Sequence, residues 1–193
     1  MTTACGFLLL GEPLALDLVN THVRRGGVDV ELLDTPRALT AWLAAEADRL
    51  PWSGASTAAD LLAVRALRDA IAELLRARRA GVRPAAAALR RVNAALATAA
   101  ASSRLVWAAS GPRLVPATLA RQRGALLRAL AVDAFGLLTG HDADAVRTCE
   151  HPDCVLQFVA RNPRRRWCSA TLCGNRARVA RHYRRERDER EAR

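Results

Sequence analysis

Four cysteines in the last third of the chain form two matched pairs, Cys149-x4-Cys154 and Cys168-x4-Cys173, with thirteen residues between them. A tetrahedral zinc site takes four ligands, and two closely spaced pairs supply two corners each. A spacing of four lies at the long end of the usual range for such turns, and Pro152 helps shape the first one. Four thiolates around Zn2+ leave a residual negative charge, which surrounding arginines favour. A fully thiolate set has no open position for water, so the pattern predicts a structural site rather than a catalytic one. Buried free thiols, disulfides and a redox switch are the alternatives. His151 and His182 are spare donors nearby, and His151 reads as a surface residue. Cys5 lies far away in sequence and reads as a small apolar side chain.

The second chemical signal is charge. The chain has 193 residues and a net charge of +11, and all of its 30 cations are arginine. Residues 147–193 hold thirteen arginines against six acids, and from Arg161 to Arg185 nine arginines occur without an acid. Arg161, Arg164, Arg165, Arg166, Asn175, Arg176, Arg178, Arg181, Arg184 and Arg185 are therefore candidate nucleic-acid contacts; the alternative is a generic basic surface. Guanidinium forks suit phosphate oxygens and the O6/N7 edge of guanine. Gly174 lets the backbone turn after the last ligand, and Asn175 can cap a helix running to about Glu189. On that helix Arg178, Arg181 and Arg185 recur at spacings of three and four and share a face. Its last turns read as self-neutralised through Glu186–Arg190 and Glu189–Arg193. Trp167 reads as a cover for the metal site, with base stacking as the alternative.

Positioning these groups requires a scaffold, and the pattern predicts a mainly α fold. A helical N-terminal domain (residues 1–141) with a small β-hairpin precedes a C-terminal zinc finger (142–193) made of a β-hairpin and a helix. The boundary falls at Gly140-His141-Asp142, where Asp142 can cap a short helix leading toward Cys149. Pro13 followed by Leu14-Ala15-Leu16-Asp17-Leu18-Val19 reads as a first helix or as a buried strand; periodicity does not separate them. Arg25-Gly26-Gly27 is a turn. Thr35-Pro36 opens a helix with Leu39, Trp42 and Leu43 inward. Thr57-x-x-Asp60 resembles a capping box ahead of the stripe Leu61, Val64, Leu67, Ile71, Leu74 and Leu75, and Gly81 ends that helix. Pro84 opens another with Leu89, Val92 and Leu96 inward. Arg104–Ala109 and Arg113–Val115 flank Ser110-Gly111-Pro112 as a hairpin. A long helix from about Thr118 to Thr139 offers Leu119, Leu126, Leu127, Leu130, Val132, Phe135 and Leu138 to the core. In the finger, Val155–Ala160 and Arg164–Trp167 read as two strands joined by Arg161-Asn162-Pro163. The N-terminal helices are expected to fold without the finger, up to about Asp144.

Several function classes find no support. There is no uncharged apolar run long enough for a membrane helix. The stretch Met1–Leu10 has no basic n-region, so the expectation is a cytoplasmic protein with reduced thiols. No phosphate-binding glycine loop, nucleophile elbow or paired-carboxylate arrangement is present, and no enzyme is expected. Asp17, Asn20, Thr21 and His22 form a polar cluster at the end of an apolar run. They are candidate ligand-binding residues; equally, Asn20 and Thr21 could end a helix and Asp17 could pair with an arginine.

The run Arg165-Arg166-Trp167-Cys168-Ser169, with Cys173-Gly174-Asn175-Arg176 after it, resembles the bacterial CGNR zinc finger over about residues 147–185. Phe158 and Arg161-Asn162 match further positions. Where that pattern has an Asp and a Ser in a longer loop, this chain has only Val159-Ala160. The N-terminal part is similar to the ABATE domain, through Leu16-Asp17-Leu18-Val19-Asn20-Thr21 and Thr35-Pro36, Leu39 and Trp42-Leu43. The resemblance implies a stress-response transcription regulator whose finger binds DNA and whose N-terminal domain senses a small-molecule effector. A homodimer would double the DNA contacts. The competing readings are a zinc-dependent module docking an acidic protein and a small enzyme using an N-terminal pocket.

Overall fold

The computed structural model describes residues 2–4, 6–50, 52–98, 103–108, 111–116 and 119–191. Met1, Cys5, Ala109, Ser110, Thr118 and Arg193, which figure in the readings above, lie outside the described residues.

The run after Pro13 is a helix, α1 (Leu14–Val19), and all six of its residues are buried. Pro13 makes no side-chain cap. Instead the Asp133 carboxylate, far along the chain, accepts the Ala15 amide at 2.7 Å. The next two helices start where their caps predict. Thr35 accepts the Ala38 amide at the head of α2 (Pro36–Ala45), with proline in its first turn. Thr57 and Asp60 form a reciprocal capping box on α3 (Ala58–Ala80), and Gly81, at φ 63°, closes it in the left-handed conformation that a Cβ disfavours. The Leu61–Leu75 stripe is buried.

Helices α4 (Ala86–Ala97) and α5 (Leu119–Thr139) pack on α3 and on each other, and α1 lies against both α3 and α5. Val92, Leu126 and Leu130 are buried as expected, and Leu96, Leu127 and Leu138 pack partly buried against the core, but three expected core residues are not. Leu89, Val132 and Phe135 are exposed (37, 48 and 55 %), while Ala88, Ala95, Ala131, Ala134 and Leu137 are buried. Alanine at a contact lets helix axes approach closely, so alanines share the inward face with Val92, Leu126, Leu130 and Leu137, and Leu89, Val132 and Phe135 fall outside it.

Among the described residues, four two-stranded antiparallel hairpins complete the fold. The first two, β1 (Thr2–Ala4) with β2 (Phe7–Leu9) and β3 (His22–Arg25) with β4 (Val28–Glu31), were not expected as strands. Arg25 pairs with Val28, so Gly26 and Gly27 alone form the turn, at φ 57° and 79°. Two positive φ angles define the type I′ turn that matches strand twist. The expected hairpin is present as β5 (Ser103–Ala108) and β6 (Gly111–Pro116). A short 3-10 turn (Ala143–Ala145) leads into the last hairpin, β7 (Val146–Thr148) with β8 (Gln157–Val159). Arg164–Trp167 is not a strand: β8 pairs with the segment before the first cysteine, and the Arg164 segment is held by turns. Helix α6 (Cys173–Glu191) ends the described chain.

Two apolar clusters result. The larger joins α1 through α5 and also includes Val146 and Val159 of β7 and β8. The smaller surrounds the cysteines with Leu156 and Phe158, and it takes in Val23, Leu8, Leu10, Val30 and Leu32 from the N-terminal hairpins. Each cluster therefore draws side chains from both sides of residue 141.

Candidate metal centre and basic helix

Strand β7 delivers Cys149, whose amide donates to the Leu156 carbonyl and so extends the hairpin ladder by one rung. A tight turn follows, with the Cys154 amide donating to the His151 carbonyl at 3.0 Å. The second arm is tied to the first by the Glu150 amide, which donates to the Arg166 carbonyl at 3.1 Å. Cys168 follows that tie, and Cys173 is the first residue of α6. The Ser169 hydroxyl accepts the amides of Thr171 and Leu172, which holds the turn between them. Asn175 therefore lies inside the first turn rather than at its cap. A Cβ on Gly174 would meet the Ser169 carbonyl oxygen and Trp167 Cδ1, each at 3.3 Å. Trp167 packs on the cysteine cluster and needs that bare backbone beside it.

The four sulfurs lie within 4.8 Å of one another, and Cys149, Cys168 and Cys173 are buried. Cys154 Sγ and Cys168 Sγ are 3.9 Å apart. Zinc–sulfur bonds of about 2.3 Å put tetrahedral ligands about 3.8 Å apart, so the thiols already stand near the spacing zinc needs. The Cys168 amide points at Cys149 Sγ at 3.4 Å, a donor suited to a thiolate. Hydrogen bonds from Cys154 and then Cys168 pull the Cys149 thiol far below its ordinary value. Contact with Cys149 and Cys154 holds the Cys168 thiol far above it, and burial pushes Cys173 up to about 12. Four crowded thiols cannot all ionise unaided, and a divalent cation supplies the missing charge. Among the described residues no other group of His, Cys, Asp or Glu has metal-binding geometry.

The arginines divide by what they touch. Arg165 is half-buried and tied on every side. It donates to the carbonyls of Val159, Trp167 and Cys168, pairs with Glu12 at 2.8 Å, and lies over the Phe158 ring at 4.3 Å. Arg166 pairs with Glu150 at 2.5 Å and lies over Trp167, and Arg161 stands 3.7 Å from Asp142. Arg164, Arg176, Arg178, Arg181, Arg184 and Arg185 are exposed and, among the described residues, in no ion pair. Arg181, Arg184 and Arg185 line a 510 Å³ cleft between α6 and the first cysteine turn, with His151, Arg166 and Trp167 on its other wall. Arg178 adjoins them on the helix surface. Near the end of the helix Arg187 meets Glu191 and His182 meets Glu186, in place of the expected Glu186–Arg190 pair; the expected Glu189–Arg193 pair lies outside the described residues.

The N-terminal polar residues do not share one site. Asp17 is buried on Arg49, at 2.5 Å. Asn20 is buried at the end of α1, where its amide nitrogen donates to the Gln157 carbonyl and its oxygen accepts the Gln157 amide, each at 2.8 Å. The Thr21 hydroxyl donates to the Leu18 carbonyl and accepts from Arg68. His22 is exposed and lines a 490 Å³ cleft with Glu31, Arg65, Arg68, Asp69 and Gln157. Arg68 itself is buried and grips Glu31 through two bonds of 2.7 Å.

Sequence reasoning missed the residues that join the finger to the helices. Both oxygens of the Glu12 carboxylate are used, one by the Val159 amide at 2.9 Å and one by Arg165. Asp153 accepts the amides of Gly26 and Gly27 at 3.1 and 2.6 Å. No local pattern marks Glu12, whose amide partner is 147 residues away. The short Val159-Ala160 loop is also explained: the Ala160 amide donates to the Ala145 carbonyl, so main chain is satisfied without the polar pair.

A family model described as "Putative stress-induced transcription regulator", ABATE, matches residues 12–141, and a CGNR zinc finger model matches residues 145–186. No curated protein matches the chain. The finger match agrees with the donor set, and the cofactor is Zn2+.

Proposed function

The chain belongs to the ABATE family, and from that premise we propose that it is a transcription regulator that binds duplex DNA through the exposed arginine face of α6. Cys149, Cys154, Cys168 and Cys173 hold the zinc, which when bound cross-links β7, the first cysteine turn and the start of α6. Arg165 and Trp167 then set the angle of the helix from below. A small ligand held by the N-terminal part controls the finger through the contacts between them, and a homodimer presents two such helices. The boundary between the two functional parts lies at residues 141/142.

The observation that carries this reading is the division among the arginines. Arg178, Arg181, Arg184 and Arg185 stand exposed on adjoining positions of one helix and, among the described residues, pair with no acid. A solvated mixed surface interleaves opposite charges; from Arg178 to Arg185 the helix carries four arginines and no acid, with Asp188 and Glu150 entering only at the edge of the cleft beside them. The helix is about 28 Å long at 1.5 Å per residue, and a helix fits the major groove.

Binding of zinc-loaded protein to duplex DNA should therefore weaken steeply with salt. Arg178→Ala, Arg181→Ala and Arg185→Ala should each lower affinity and flatten the salt slope by about one unit. Fluorescence anisotropy across a salt series reads both. Absence of salt-dependent affinity in the wild type would end the proposal.

A second reading, in which the zinc module and its arginines dock on an acidic protein, draws on the same exposed Arg178, Arg181, Arg184 and Arg185. Binding to an acidic protein but not to DNA would select it. No catalytic role is proposed: the matched families are a regulator and a zinc finger.

A further inference from the structure

Helix α6 has a second face, away from the cleft beside the first cysteine turn. Val179 and Tyr183 are exposed on it at 45 and 67 %. They are the only large apolar residues between Gly174 and Glu191. Arg176 precedes Val179 by three positions, and Glu186 follows Tyr183 by three. Residues three and four apart adjoin on a helix surface, so these four form one stripe: a cation, two apolar side chains and an acid. None of them lines the cleft, which takes Ala177, Ala180, Arg181 and Arg184 from the other side of the helix. Arg176 is exposed and, among the described residues, in no ion pair. Glu186 keeps 44 % of its side chain exposed, with His182 beside it at 3.6 Å.

We infer that a second copy of the chain docks on this stripe, its α6 running antiparallel to the first about a two-fold axis level with Arg181. In that register Val179 of each copy stands opposite the partner's Tyr183, and Arg176 opposite the partner's Glu186. Every pairing is made twice, as a two-fold contact requires. Charge complementarity selects both the occupant and the direction. A parallel pair sets Arg176 on Arg176 and Glu186 on Glu186, and like charges in contact repel. An antiparallel pair centred on Tyr183 sets Arg176 level with Arg190, and one centred on Val179 sets Glu186 level with Leu172. Centred at Arg181, the stripe meets its own complement, and Arg190 stands level with Leu172, where no like charge meets it. A wholly acidic partner gives no reason for Glu186 at one end of the stripe. Tyr183 suits the contact, with a broad apolar ring and a hydroxyl that can stay in water. At about 3.6 residues per turn, Arg178, Arg181, Arg184 and Arg185 lie about 120° or more around the helix from the middle of the stripe. The contact therefore leaves them free for DNA. Two apolar pairs between two surface ion pairs make a small interface, so the dimer is weak and concentration-dependent. The inference rests on the reading that a homodimer presents two such helices, and it names the face through which they meet.

Sedimentation equilibrium of the zinc-loaded full chain, without DNA, tests it. Reversible dimerisation with a dissociation constant at or below about 0.1 mM is expected. Tyr183→Arg should weaken it about tenfold or more. Arg176→Glu and Glu186→Arg each set like charges opposite one another and should each weaken it severalfold. The double variant exchanges the partners and should return to near the wild-type constant. Zinc content and helical circular dichroism should match the wild type in all four variants, so that a loss is not unfolding. A double variant as weak as the single ones would overturn the register and with it the inference. A dimer that persists in Tyr183→Arg would overturn this face and leave the homodimer reading standing. A wild-type chain that stays monomeric would overturn both and leave the DNA reading untouched, since the measurement contains no DNA.

Discussion

Asp17 shows how burial sets the behaviour of a single residue. Burial pushes its carboxyl up to about 6, against the opposing pull of Arg49. A carboxyl whose folded pKa is raised binds its proton more tightly when folded. Its ionisation therefore costs stability as pH rises from the ordinary carboxylate range through about 6. Asp17→Asn removes that titration. Between pH 4.5 and 7.5 the wild type should lose stability relative to the variant by on the order of 2 kcal/mol in urea unfolding. Parallel curves would show that Asp17 is not strained. Arg165 and Arg178 make a second contrast at this scale. Arg165→Ala strands the buried Glu12 carboxylate and should cost about 3 kcal/mol, with impaired zinc retention. Arg178→Ala should stay within about 0.5 kcal/mol of the wild type while losing DNA affinity. Melting curves and metal content distinguish the two roles, which the arginine run alone does not reveal.

At the scale of elements, zinc removal should reach beyond the finger. Val146 and Val159 lie in the same cluster as α1, α3 and α5. Stripping zinc, or replacing any one cysteine by serine, should lower one common helical melting transition by several degrees. The sequence reading expects an autonomous helical unit before Asp144; an unshifted major transition in the zinc-free chain would support that expectation against this one. What was legible at this scale follows local chemistry. The caps at Thr35 and Thr57, the αL glycine at Gly81 and the paired cysteines depend on residues a few positions apart. What was hidden depends on distant partners. Strand β8 pairs with β7, across the cysteine turn, so the alternation in Arg164–Trp167 pointed to the wrong partner. Val132 and Phe135 face outward because the helices meet along alanines, and hydrophobicity alone ranks those alanines last. The four-cysteine cluster was legible in full, whereas Glu12, whose partners Val159 and Arg165 lie far along the chain, carries no local signal.

Across the whole molecule, the finger is seated on the helices rather than tethered to them. Asn20 clamps Gln157 through both of its amide groups, Glu12 holds the Val159 amide and Arg165, and Asp153 holds the β3–β4 turn. These joints tie β8, Arg165 and the first cysteine turn to the N-terminal elements, and α6 is linked to them through the cysteine cluster and Trp167. Asn20 is the joint to test, because its side chain bonds the Gln157 backbone and none of the cysteines or the exposed arginines. Asn20→Ala leaves the Gln157 amide and carbonyl buried without partners, at a cost of about 1–3 kcal/mol for each unsatisfied group. Hydrogen exchange should then quicken at Val146–Thr148 and Gln157–Val159 before it does in α3. Zinc content should be unchanged, since the cysteines are two or more residues from the break. If docking orients the reading helix, the variant should bind DNA with the wild-type salt slope, because the phosphate contacts remain, but with discrimination between sequences reduced. Wild-type exchange at β7 and β8 would show that the apolar contacts of Val146 and Val159 hold the finger without the clamp.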